Sequence, residues 1–371
     1  MSASFRRYLA HRLVSIAALA APVAASSSMS GCGCDDTNPD VQVCFDPTTV
    51  DAGVPLDAGP TVNGCPSSRS VVADDDLNVS LPASSMLQMN DFKILSGPVV
   101  QGGKCCYVVQ AGGVCGGRPF LVDDRPLVAP AQRHAGGWSD VKARSPRTGD
   151  LSPELRAELA GAWTRDGLAE HASVASFARF SLELLAAGAP PDLVELAHRA
   201  ALDEVRHARL CLSLAGAYAG APVGPGAFPF AGGVEVTGDL ASIAARVARE
   251  GCVGETLAAV LAAEQLDRAT DPAVRAVLAI LAADEARHAE LAWRTVAWAI
   301  RTGGAPVCAA VAAVLASLDG GAEAAPRREG PLDVHGRLDA GEQRRLAALA
   351  IVEVVRPAAR ALLGVEGGSP A

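Results

Sequence analysis

Two five-residue stretches hold the most reactive side chains of this sequence: Asp203-Glu204-Val205-Arg206-His207 and Asp284-Glu285-Ala286-Arg287-His288. In each, a glutamate and a histidine stand three residues apart. On an α-helix that spacing places both on one face, within reach of a shared ion. Carboxylate oxygen with imidazole nitrogen is a donor set for divalent transition metals such as iron or manganese. Two further glutamates complete the pattern, Glu170 ahead of the first stretch and Glu255 ahead of the second. Their surroundings also match, since Arg165-Asp166-Gly167 precedes Glu170 as Arg249-Glu250-Gly251 precedes Glu255. The region therefore reads as two copies of one helical hairpin, each contributing a glutamate from its first helix and Glu-x-x-His from its second.

The elements that must position these groups are punctuated in the sequence. Ser152-Pro153 is an N-cap followed by proline in the first turn, and Gly188 with Pro190 and Pro191 closes that first helix. A second helix is predicted from about Asp192 to Gly216, a third from after Asp239 to about Arg268, and a fourth from Asp271-Pro272 to Gly303-Gly304. The short links within each pair imply antiparallel neighbours. The Gly- and Pro-rich residues 217–238 are long enough to cross the length of a bundle. Apolar seams run through the sites: Leu193, Ala197, Ala200, Glu204, His207, Cys211, Leu214 on the second helix, and Val274, Leu278, Leu281, Glu285, His288, Ala292 on the fourth. Glu170 and Glu255 fall on the seams of the other two. Each helix thus buries a carboxylate, and uncompensated burial costs several kcal/mol per ion. Two divalent cations would balance four carboxylates and leave both imidazoles neutral.

Glu, Glu-x-x-His, Glu, Glu-x-x-His resembles the ligand pattern of the ferritin-like di-iron carboxylate proteins, over about Ser152 to Arg301. The resemblance implies a mainly α fold, a ferritin-like antiparallel four-helix bundle with a long crossover. It also implies a metal site of Glu170, Glu204, His207, Glu255, Glu285 and His288 holding two iron ions, with manganese or a mixed pair as alternatives. The fuller Asp-Glu-x-Arg-His form is similar to that of the di-iron hydroxylase subunits of bacterial monooxygenases. By that likeness Asp203 and Asp284, with Arg206 and Arg287, support the ligating histidines through their other ring nitrogen. The alternative for these four is surface ion pairing at i,i+3. Glu250, Glu264 and Asp166 are read as outer carboxylates, and His171, one step off the seam, as structural.

The N-terminal part has a different character. Arg6, Arg7 and Arg12 precede an apolar run from Leu13 to Ala25, which reads as a targeting leader outside the fold. Met29-Ser30-Gly31-Cys32 is similar to the cleavage box of bacterial lipoproteins, making Cys32 a candidate for lipidation, with simple secretion as the alternative. Seven of the ten cysteines lie between positions 32 and 115, which suits an oxidising compartment. The boundaries that follow are a signal peptide at 1–31, a tether at 32–63, and a small Cys-rich, β-type domain at 64–129. A linker at 130–150, the bundle at 151–318 and a C-terminal extension with one helix at 319–371 complete the chain.

A net charge of -9 without a cluster of Lys and Arg argues against nucleic acid as a partner. The functions open to such a chain are an O2-dependent oxidoreductase drawing on an unknown electron donor, a ferroxidase or metal-handling protein without an organic substrate, or a metal-stabilised structural module of the cell envelope. The expected location is exported, periplasmic or lipid-anchored to a membrane.

Overall fold

The computed structural model describes residues 2–18, 41–45, 61–62, 65–66, 92–111, 117–122, 125–133, 137–139, 145–230, 232, 234–318 and 332–364. The chain divides into two compact units. One comprises Met1–Cys34, Cys115–Leu121 and Leu127–Ala371, the other Asp35–Val114 and Val122–Pro126.

The smaller unit contains a three-stranded antiparallel sheet in the order Val41–Phe45, Lys104–Ala111, Phe92–Gln101. Gly102 and Gly103 join the last two strands, and both have positive φ (59° and 82°). A two-residue hairpin turn with both central residues left-handed matches the twist of the strands it connects, and glycine adopts it without strain. Cys105 and Cys106 are both disulfide-bonded. Cys32, the candidate for lipidation, lies outside the described residues.

The larger unit is mostly helical. Helix α1 spans Ser2–Ala18, α2 Pro153–Ala186 and α3 Pro191–Ala219. A continuous helical run follows, made of α4 (Leu240–Val247), a π-helical segment (Ala248–Glu255) and α5 (Thr256–Arg268). Then come α6 (Pro272–Gly303), α7 (Ala305–Ala316), α8 (Ala340–Ala350) and α9 (Arg356–Leu363). The caps act as their residue types require. The Ser152 side chain accepts from Leu155 N–H, Asp271 accepts from the N–H groups of Ala273 and Val274, and left-handed Gly220 ends α3.

Contacts set the directions. Arg156 near the start of α2 meets the Tyr218 carbonyl near the end of α3, while His207 faces Glu170, so these two helices are antiparallel. Helix α3 is likewise antiparallel to α6, because His207 meets Asp284 whereas Glu204 meets His288. Gly251 beside Ala292 and Arg275 beside the Leu266 carbonyl make the π/α5 run antiparallel to α6. Buried Trp163, Cys211, Leu214, Tyr218, Val274, Leu278 and Leu281 form a core at one end of this assembly.

Three features add to the expected layout. The segment that reads as a leader forms α1, which packs along α6 and α9 with Leu9, Leu13 and Ala17 fully buried. Arg6 pairs with Glu353 at 2.7 Å and Arg12 makes a two-pronged pair with Glu290 at 3.0 and 2.8 Å. The described residues 117–121 and 127–133 group with the helical unit. Within that stretch, Ala131–Arg133 pairs antiparallel with Val223–Pro225 of the long crossover. Helix α7, directly after Gly304, was not anticipated. None of the described helices is long and apolar enough to cross a membrane.

Candidate metal centre

All six residues expected to bind metal converge between α2, α3, the π segment and α6. They form two overlapping sets: Glu170, Glu204, His207 and Glu285, and Glu204, Glu255, Glu285 and His288. Within each set the candidate ligand atoms lie within 4.8 Å of one another. Glu204 and Glu285 belong to both, which places them to bridge. Glu170 and His207 belong to the first set alone, Glu255 and His288 to the second, so each pair would serve one ion.

Both imidazoles point Nδ1 at the carboxylates. His207 Nδ1 is 3.3 Å from Glu285, 3.6 Å from Glu170 and 3.7 Å from Glu204. His288 Nδ1 is 3.0 Å from Glu204 and 3.6 Å from Glu285. Despite this crowding, His207 Nδ1, His288 Nδ1, one oxygen each of Glu204 and Glu285, and both oxygens of Glu255 are buried without a hydrogen-bond partner. Buried polar atoms are almost always satisfied. A cluster of orphans converging on one space is what a set of metal donors looks like when considered as protein alone, and two divalent ions fit it in number, charge and donor type.

The Nε2 atoms face outward, to aspartates on the opposite helix. His207 of α3 reaches Asp284 of α6 at 3.0 Å, and His288 of α6 approaches Asp203 of α3 at 3.5 Å. This crossed exchange is the two-fold relation expected of a repeated hairpin. Arg206 and Arg287 join both aspartates: Arg206 pairs with Asp203 at 3.2 Å and with Asp284, and Arg287 with Asp284 at 2.5 Å and Asp203 at 3.2 Å. The surface i,i+3 pairs and the histidine-supporting role therefore coexist in one quartet.

Charge is distributed unevenly in the protein groups. Burial, then the neighbouring Glu204, drives the Glu170 carboxyl well above its usual range, and burial with Glu285 does the same to Glu255. Burial also pushes Glu204 and Glu285 up, but their contacts with both histidines outweigh it and hold both low. The histidines are raised although burial opposes it, His207 chiefly by Asp284 and His288 chiefly by Asp203. Asp284 itself, pushed up by burial, is brought down to about 2 by His207 and Arg287.

The outer carboxylates are each neutralised by arginine and take no part in the ligand sets. Glu250 pairs with Arg118 and Arg179, Glu264 with Arg268, and Asp166 with Arg337. His171 packs against Trp138 and Phe228. Cys211 and Cys252, one turn from His207 and Glu255, are buried free thiols. Sequence reasoning missed Arg118, Arg179 and Arg337, which come from distant segments or from a helix face read as ordinary. No family model, no curated protein and no solved structure matches this chain.

Proposed function

We propose that this chain is a ferritin-like di-iron carboxylate protein with O2-dependent oxidoreductase activity. The observation that carries the reading is the pair of ligand sets sharing Glu204 and Glu285, with unsatisfied donor atoms converging between them. Two reduced ions held there would supply electrons for reducing O2, and an external donor would restore them.

The chain's own residues define what surrounds that chemistry. Asp284 hydrogen-bonds His207 Nε2 and Asp203 faces His288 Nε2 at 3.5 Å, so each imidazole turns Nδ1 toward the carboxylates. Phe177, with its ring centroid 5.2 Å from that of His288, presents apolar surface to the His288 side of the site. Glu170 is the one ligand with appreciable exposure, its side chain 15% accessible against 3% or less for the other five. Small molecules would therefore approach along α2.

Metal analysis of the purified full-length protein, followed by O2 uptake after anaerobic reconstitution with ferrous iron, tests the proposal. The expected result is two ions per chain and rapid uptake coupled to oxidation of an added reductant or organic compound. Uptake yielding only ferric product would favour the ferroxidase alternative. Absence of tightly held transition metal after reconstitution would overturn the dimetal reading.

A further inference from the structure

Two arginines from outside the ligand-bearing helices enter the helical unit at equivalent places. Arg118, ahead of the ligand-bearing helices in sequence, has a side chain only 1% exposed; it donates to Ser176 Oγ at 3.3 Å and lies 3.5 Å from Glu250, itself 2% exposed, which Arg179 of α2 also meets at 3.0 Å. Its guanidinium carbon sits 4.9 Å and 4.3 Å from the ring centroids of Phe177 and Phe180. Its backbone is fixed as well: its carbonyl accepts from Ser173 Oγ at 2.9 Å, and Gly117 N–H donates to the Gly254 carbonyl in the π segment. Arg337, beyond the helices, forms a two-pronged pair with Asp166, with Nη2 3.1 Å from Oδ1, and stacks 5.0 Å over Trp163. The segment bearing it is seated where Thr270 N–H meets the Val334 carbonyl at 3.0 Å.

The two acids occupy matching positions relative to the outer ligands. Asp166 precedes Glu170 by four residues in an α-helix, whereas Glu250 precedes Glu255 by five within the π-helical segment. Four residues in an α-helix and five in a π-helix both return the chain to the same face, one turn on. The extra residue of the second copy is absorbed by the π turn, so the relation between outer acid and ligand is preserved. Glycine follows each acid, letting Gly167 lie against Leu212 and Gly251 against Ala292.

We infer that Arg118 and Arg337 are paired positioning residues, each setting one outer carboxylate of the metal centre: Arg118 sets Glu255 through Glu250, and Arg337 sets Glu170 through Asp166. The inference rests on the dimetal reading above. Arg337 grips Asp166 directly, whereas Arg118 holds Glu250 as an ion pair and through Ser176, whose Oγ accepts from Arg118 and donates to Glu250, with Arg179 completing the set. Such charge-assisted contacts fix the helical turn that carries the acid, and the ligand emerges from the next turn on that face. Since Glu170 and Glu255 serve different ions, each arginine acts on one ion.

The test is a Mn(II) titration of full-length Arg118→Met and Arg337→Met, followed by electron paramagnetic resonance, which separates coupled ion pairs from isolated ions. Wild type should bind two coupled ions. Each variant should keep one ion at wild-type affinity and bind the other about 10- to 100-fold more weakly, the range for loss of support around a ligand. Adding Glu255→Gln to Arg118→Met should cost little more, whereas adding Glu170→Gln should weaken the remaining ion; the reverse should hold for Arg337→Met. Folded variants that bind both ions normally, or lose both equally, would overturn the inference while leaving the dimetal reading intact. Wild type binding no ion would remove both. The isosteric changes Glu250→Gln and Asp166→Asn carry the same expectations and decide the matter where an arginine variant does not fold.

Discussion

At the scale of single residues, the centre is built from groups that do not satisfy one another. Glu255 is the extreme case, fully buried with neither oxygen hydrogen-bonded. The sharing of ligands makes the consequences of substitution unequal. His288 belongs to one set only, so His288→Ala should leave one tightly bound ion per chain. Glu204 belongs to both, so Glu204→Ala should weaken both ions. Metal content after dialysis against a weak chelator separates the cases, and equal stoichiometry in the two variants would contradict the bridging assignment.

At the scale of elements, the π-helical segment Ala248–Glu255 is held open by close approach. A Cβ on Gly254 would stand 2.5 Å from the Gly117 carbonyl oxygen, and one on Gly251 would stand 2.5 Å from Ala292 Cβ. Gly254→Ala and Gly251→Ala should therefore each destabilise by about 1–3 kcal/mol, the usual cost of overpacking. Gly161→Ala, in α2 with only Arg165 at ordinary contact distance, should stabilise by roughly 1 kcal/mol through helix propensity. Urea denaturation of the three variants checks the contrast in sign. The convergence of the six candidate ligands was legible in the sequence because their chemistry repeats at helical spacing on apolar seams, and the helix ends were legible because Ser152, Asp271 and the Gly/Pro clusters are local signals. The π turn was not anticipated, although the spacings differ, four residues from Asp166 to Glu170 against five from Glu250 to Glu255. The arginine partners were not legible, since a buried Arg118 looks no different in sequence from a solvated one. The packing of α1 was hidden for a related reason: a basic segment followed by an apolar run satisfies a leader and an amphipathic helix equally.

At the scale of the whole chain, the C-terminal extension is tied to the helical unit by charge. Arg268 of α5 is paired with Glu264, Asp333 and Glu342, and Glu342 also takes Arg345. Burial pushes the Glu342 carboxyl up, but hydrogen bonds from Arg345 and Arg268 outweigh it and hold it below its usual range. A carboxyl lowered by folding adds stability that is present above its unfolded pKa, about 4.3, and fades as pH falls through the lower folded value. Glu342→Gln should therefore melt earlier than wild type at pH 7, and the difference should shrink as pH drops below about 4. A gap independent of pH would show that shape, not charge, is what Glu342 contributes. The union of α1 with α9 bears on time rather than energy. Arg6 and Glu353 are 347 residues apart, and at about 5–20 residues per second the ribosome needs roughly 20–70 s to make the second after the first. Throughout that interval α1 exists without α9, so whatever recognises α1 early has first claim on it, and the finished fold only the second.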